Sequence, residues 1–151
     1  MRTIIQRVKS ANVEINNNIV GKINKGLMIL IGFETNDTNE DIDWLVKKII
    51  NLRIFSDTEG KMNLSLQDVA GELLCVSQFT LYAATKKGNR PSYIRSAKPV
   101  LAKKIYDLFI RKTEEILAKK IQTGIFGADM KISLVNDGPV TVLIDSKNKD
   151  F

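Results

Sequence analysis

Gly26-Leu27-Met28-Ile29-Leu30-Ile31-Gly32-Phe33 is the stretch on which the architecture turns. Its residues are apolar at successive positions, so a strand over Leu27 to Phe33 would be apolar on both faces and must lie centrally in a sheet. The run is far shorter than the roughly 20 residues a membrane span requires. Upstream, Thr3 to Lys9, Asn12 to Ile15 and Ile19 to Ile23 read as short strands, the last two joined by the turn-forming Asn16-Asn17-Asn18. Downstream, Thr38 has the character of a helix N-cap with Asp41 three residues on. Ile42, Leu45, Val46, Ile49 and Ile50 then recur at helical spacing, which predicts a helix laid on the sheet, with Trp44 off the apolar stripe.

Leu73-Leu74-Cys75-Val76 is a second apolar strand, and it turns abruptly polar at Ser77-Gln78-Phe79-Thr80. A sheet delivers side chains and free backbone amides to a cleft at such a junction. Pro99 is tolerated in a first helical turn and opens a helix to about Lys120, with Leu101, Ile105, Leu108, Phe109, Ile116 and Leu117 inward. Two closing strands, Ile132 to Val135 and Val140 to Ile144, flank Gly138-Pro139. A proline cannot donate to a sheet ladder, so this dipeptide belongs at a turn, an edge or a protruding loop.

The chain has 151 residues, of which 44% are hydrophobic, enough for one domain with a full core. Met1 to Val8 alternates like a strand, and no secretory leader is expected. A soluble, cytoplasmic protein with no membrane association is the resulting expectation. The lone cysteine, Cys75, falls within an apolar strand and reads as a small buried hydrophobe.

Lys and Arg number 23 against 17 Asp and Glu, a formal charge of +6, which favours a polyanionic partner. The basic loop Thr85 to Tyr93 carries Lys86, Lys87 and Arg90; it is either a solvated charged loop or a phosphate-contacting one. Histidine is absent from the sequence. That excludes Ser-His-Asp and Cys-His catalysis and zincin-type sites. With a single cysteine and no imidazole a zinc site is not expected. A magnesium or calcium cage of carboxylates stays open in principle, but no EF-hand-like or paired-carboxylate spacing is visible, and the expectation is no metal and no cofactor. An enzyme built from this chain must use backbone dipoles, hydroxyls, Lys or Arg, or the substrate itself.

Several segments together carry a resemblance: Gly60-Lys61-Met62-Asn63, Ser77 to Ala83, Lys87 to Ser92, Phe126-Gly127-Ala128-Asp129-Met130 and Asn136 to Thr141. In order and spacing they resemble the D-aminoacyl-tRNA deacylases, chiral proofreading enzymes, from Ile5 to the last strand. The resemblance implies an α/β fold: a compact single domain over residues 1–151, with mixed, largely antiparallel sheets and two main helices packed on one side, forming a homodimer. It implies hydrolysis of the ester joining a D-amino acid, or glycine, to the terminal ribose of tRNA.

By the same resemblance, Ser77, Gln78, Phe79 and Thr80 form the catalytic segment, with the backbone amides of Phe79 and Thr80 as an oxyanion hole. Gly138 and Pro139 correspond to a Gly-cisPro chirality filter that enters the partner subunit's site, with Arg7 orienting it. Phe126 and Met130 correspond to positions around the terminal adenine, and Lys86, Lys87 and Arg90 would face the tRNA. The stretch Tyr93 to Pro99 is bulkier and more basic than in many relatives. The alternative reading is a non-catalytic basic module that binds RNA or DNA.

Overall fold

The computed structural model describes residues 1–150; Phe151, the last residue of the expected domain, lies outside the described residues. The chain opens with β1 (Arg2–Ile15), β2 (Asn18–Ile23) and β3 (Gly26–Gly32), followed by α1 (Asn39–Asn51). The short strands β4 (Phe55–Ser56) and β5 (Met62–Leu64) pair with each other, and β6 (Glu72–Ser77) returns to the main sheet. A 3-10 turn (Phe79–Tyr82), α2 (Pro99–Leu117), β7 (Gln122–Thr123) and β8 (Lys131–Asp145) complete the fold.

β3 occupies the centre of the six-stranded sheet, as its apolar run requires. It pairs antiparallel with β1 on one edge and parallel with β6 on the other. β1 pairs β3 over Arg2 to Val8 and β2 over Ala11 to Ile15, while β8 runs antiparallel along it from end to end. The sheet is therefore mixed, with β3, β6 and β7 parallel and the remaining pairs antiparallel.

The expected break between Thr3–Lys9 and Asn12–Ile15 is instead one strand of 14 residues. The alternation fails locally because the register against β8 shifts between Gln6 and Val8 and again between Val8 and Ser10. Arg7 and Val8 are consequently both buried, and the inward parity changes along the strand.

α1 begins where the capping box places it. The Asp41 N–H donates to Thr38 Oγ1 at 3.3 Å, and the Asp41 carboxylate accepts the Thr38 N–H at 2.8 Å. Ile42, Leu45, Val46, Ile49 and Ile50 are buried, in one core with Ile5, Leu27, Ile29, Ile31, Leu73 and Cys75 of the sheet. α2 packs into that same core through Ala102, Ile105, Tyr106 and Phe109, so both helices cover one face.

The buried stripe of α2 differs from the expected one. Leu101 and Ile116 are 36% and 40% exposed, while Tyr106 and Thr113 turn inward. Thr113 can be buried because its hydroxyl donates to the Phe109 carbonyl at 2.7 Å. The helix stops at Leu117 rather than near Lys120, since Ala118 adopts a left-handed conformation with φ +50°. A second, smaller core on the other sheet face gathers Val8, Ala11, Val13, Ile23, Met28, Leu74 and Val76. No described helix is long and apolar enough to cross a membrane.

Candidate active site

The adjacent parallel strands β3 and β6 end side by side, with Ile31 in register with Ser77. Beyond them the chain turns sharply. The Gln78 N–H still donates to the Ile31 carbonyl at 2.7 Å, and then Phe79 to Tyr82 coil into the 3-10 turn. Gly32 permits this turn to sit close. A Cβ at position 32 would fall 2.7 Å from the Gln78 carbonyl oxygen and 3.2 Å from the Leu81 Cβ.

The first residues of a helical turn have no intrahelical acceptors for their N–H groups. Among the described residues, no acceptor faces the backbone N–H of Phe79 or of Thr80. The Thr80 Oγ1 accepts from the Gln78 side-chain amide, a contact that does nothing to remove its proton.

A cavity of about 730 Å³ opens at these strand ends, within the range of small-ligand sites. Ser77, Gln78 and Phe79 form one wall, Phe126 and Met130 another, and Tyr93, Ser96, Lys98 and Ala102 a third. Phe79 is 57% exposed and meets Tyr93 edge-on at 5.0 Å. Phe126 rests against Tyr106 at 5.8 Å between ring centres. The Tyr106 hydroxyl donates to the Cys75 carbonyl at 2.9 Å. Burial pushes the Cys75 thiol and the Tyr106 phenol well above their ordinary values, so both stay protonated at neutral pH.

The expected site residues divide into groups. Ser77, Gln78, Phe79, Phe126 and Met130 share the cavity, whereas Thr80, the next residue of the 3-10 turn, does not line it. Gly138, Pro139 and Arg7 do not line it. Pairing between β8 and β1 jumps from Thr141 opposite Gln6 to Asn136 opposite Val8, so residues 137–140 loop out opposite Arg7. The loop is closed by Val140 N–H donating to Asn136 Oδ1 at 3.2 Å, and its tip, Gly138-Pro139, is exposed with a cis peptide bond. Arg7 is buried beneath it, and donates from Nε to the Asp137 carbonyl at 3.0 Å and from Nη1 to the Ile54 carbonyl at 2.5 Å. The cavity and this tip are thus separate features of one chain.

Lys86, Lys87 and Arg90 are also outside the cavity, on an exposed loop whose base is fastened by reciprocal Ala84–Ser92 hydrogen bonds of 2.8 and 3.0 Å. Tyr93, Ser96, Lys98 and Ala102 were not singled out as lining groups from the sequence. They reach the cavity through a strap with no periodicity, joined to β3 by the Ala97 N–H donating to the Phe33 carbonyl at 2.9 Å. The only cue in the chain was the bulk of Tyr93 to Pro99.

Residues 4–145 match the family model described as D-Tyr-tRNA(Tyr) deacylase. The D-aminoacyl-tRNA deacylase of Flavobacterium psychrophilum is 61% identical over 150 residues, covering 99% of this chain and 100% of that protein. The protein of the same name from Thermosipho melanesiensis is 56% identical over 147 residues, 97% of this chain and 98% of its own. Among solved structures, a c-Myc DNA unwinding element binding protein superposes with a TM-score of 0.92 at 35% identity, covering 96% of this chain and 98% of that one. A probable eukaryotic D-amino acid tRNA deacylase shares the fold with a TM-score of 0.83 at 18% identity, covering 95% and 97% of the two chains.

Proposed function

The chain belongs to the D-Tyr-tRNA(Tyr) deacylase family, and on that premise we propose that it hydrolyses D-aminoacyl-tRNA to free D-amino acid and tRNA. The observation that carries this reading is a pair of successive unpartnered amides, that of Phe79 on the wall of a cavity large enough for an aminoacyl-adenosine end and that of Thr80 next to it in the chain.

In the proposed reaction, water attacks the ester carbonyl carbon and the carbonyl oxygen becomes an oxyanion. The N–H groups of Phe79 and Thr80 donate to it; removing one such donor from an oxyanion hole typically costs about 2.7–4 kcal/mol of barrier. The carbon–oxygen bond to the ribose then breaks, and a proton passes to the departing ribose oxygen. Thr80 is a poor candidate for covalent attack, because a hydroxyl needs an adjacent base and its neighbour is the Gln78 amide. The vicinal ribose hydroxyl of the substrate is the group we assign to assist the proton transfers. Phe126 and Met130 offer an aromatic face and a thioether to the terminal adenine.

The chirality filter is assigned to Gly138-Pro139 of a second copy, whose exposed tip would enter the cavity and leave no room where an L side chain projects. A D side chain would point outward, so many D-amino acids would be accepted and glycine would not be excluded. A homodimer in the cytoplasm is therefore part of the proposal.

The second reading is a binding module without catalysis, favoured by the +6 charge and by the DNA-binding name of one structural relative. Deacylation of D-tyrosyl-, L-tyrosyl- and glycyl-tRNA, measured side by side with chelator present, separates the two. Loss of the D and glycyl esters with the L ester intact is the expected result. Intact esters despite salt-sensitive tRNA binding would establish the binding module. Unchanged turnover of a D-tyrosyl-tRNA ending in 2′-deoxyadenosine would remove the ribose hydroxyl from the mechanism.

A further inference from the structure

We infer that Ser96 is a positioning residue for the Thr80 amide, an inference that rests on the deacylase reading above. The peptide group is planar, so holding its carbonyl oxygen fixes the direction of its N–H. The Thr80 N–H shares a peptide plane with the Phe79 carbonyl, and the Phe79 N–H shares one with the Gln78 carbonyl. The Gln78 carbonyl is held within the main chain, where it accepts the Leu81 N–H at 3.3 Å. The Phe79 carbonyl is held by a side chain from a distant segment, since Ser96 Oγ donates to it at 2.9 Å. A hydrogen bond accepted at the oxygen also polarises the peptide group and strengthens its N–H as a donor.

Ser96 is itself well placed for this task. Its N–H donates to the Tyr93 carbonyl at 3.0 Å, and its backbone forms a bridge with Glu34 just past β3. Arg95 adds an ion pair to Glu34 at 3.8 Å. The strap is thus joined to the end of β3, which lies beside the end of β6 that carries the 3-10 turn, so Ser96 and the Phe79 carbonyl are held in one frame. From the far end of the turn, Arg2 Nη1 donates to the Leu81 carbonyl at 3.2 Å, with its Nε on Asp145 at 2.7 Å.

Steady-state kinetics of Ser96→Ala and Ser96→Thr on D-tyrosyl-tRNA test the role. Ser96→Ala is expected to lower kcat about tenfold, the equivalent of about 1.36 kcal/mol, with KM within about twofold and an unchanged thermal midpoint. Ser96→Thr, which keeps the hydroxyl, is expected to restore most of kcat. In amide NMR spectra of the free protein, the Thr80 resonance should move in Ser96→Ala and return in Ser96→Thr. A fully active Ser96→Ala, or a loss of activity that follows a lowered thermal midpoint, overturns the positioning role and leaves the deacylase reading standing. A wild-type chain that leaves D-tyrosyl-tRNA intact overturns the deacylase reading, and this role with it.

Discussion

Arg7 and Asp137 stand 130 residues apart in sequence, yet Arg7 Nε donates to the Asp137 carbonyl at 3.0 Å. The Asp137 carboxylate adds a longer contact to the same nitrogen at 3.6 Å. With Nη1 on the Ile54 carbonyl, the guanidinium ties the loop of β8 to the body of the protein. The exposed Gly138-Pro139 tip thereby has a defined direction, with Gly138 close against the Arg7 guanidinium.

Gly138→Ala should disrupt that arrangement. A Cβ there would lie 2.7 Å from Arg7 Nη2 and 2.9 Å from Val140 Cγ2, at a φ of +129° that L side chains rarely adopt. Urea unfolding is expected to show a loss of about 1–3 kcal/mol. The rate on L-tyrosyl-tRNA relative to D-tyrosyl-tRNA should rise; an unchanged ratio would detach the tip from chiral discrimination.

Gly32→Ala is expected to act on the cavity wall formed by Ser77 to Phe79. The new methyl would meet the Gln78 carbonyl oxygen at 2.7 Å, so the 3-10 turn must shift. Overpacking of this kind costs roughly 1–3 kcal/mol of stability. Deacylation should fall by more than thermal denaturation explains, which a comparison of kcat with the folded fraction at assay temperature would read.

Phe126→Ala should weaken substrate binding rather than chemistry. An aromatic that stacks on a base contributes about 1–3 kcal/mol, so KM is expected to rise about tenfold or more with kcat nearly unchanged. A variant with normal KM would return Phe126 to the packing role implied by its contact with Tyr106.

Stability should depend on Asp41 in acid. Burial alone would raise its pKa, but hydrogen bonds from Lys147 Nζ, from the Thr38 N–H and hydroxyl, and from Ser146 outweigh it and hold the carboxyl well below its ordinary 3.8. A depressed folded pKa means that the stabilisation is present above the unfolded value and is lost as pH falls through the folded one. The difference in unfolding free energy between wild type and Asp41→Asn should be constant from pH 7 to about 5 and shrink below the ordinary carboxylate value. A difference independent of pH down to about 2 would contradict it.

If the basic loop contacts phosphates, neutralising Lys86, Lys87 and Arg90 together should reduce the slope of log KM against log salt concentration by up to about 2–3. The rate at saturation should hold. An unaltered slope would show those charges to be solvated only.

The parts of the fold readable from sequence were those governed by near neighbours. Thr38 and Asp41 are three residues apart and cap α1 through each other; the run from Leu27 to Phe33 demanded a central place because no exposed face could accept it. The continuity of β1 through Ser10-Ala11, where the sequence suggests a break, is hidden because its change of parity is set by the register of β8, more than a hundred residues later. The inward turn of Thr113 was likewise hidden, since a helical hydroxyl becomes buriable only when it bonds back to a carbonyl such as that of Phe109. In the cavity, the junction Ser77 to Thr80 announced itself as an apolar strand turning polar. Ser96 could not, because its single relevant act is a hydrogen bond to a main-chain oxygen 17 residues away.

The free N–H groups of Phe79 and Thr80 have an evolutionary corollary. A side-chain donor can be erased by one codon change, whereas a main-chain amide survives every replacement except proline. Drift at these two positions can therefore redirect the donors but rarely delete them. Selection on such a site acts on the path of the chain, and the residues under strictest constraint should include distant supports such as Gly32, whose replacement bends that path.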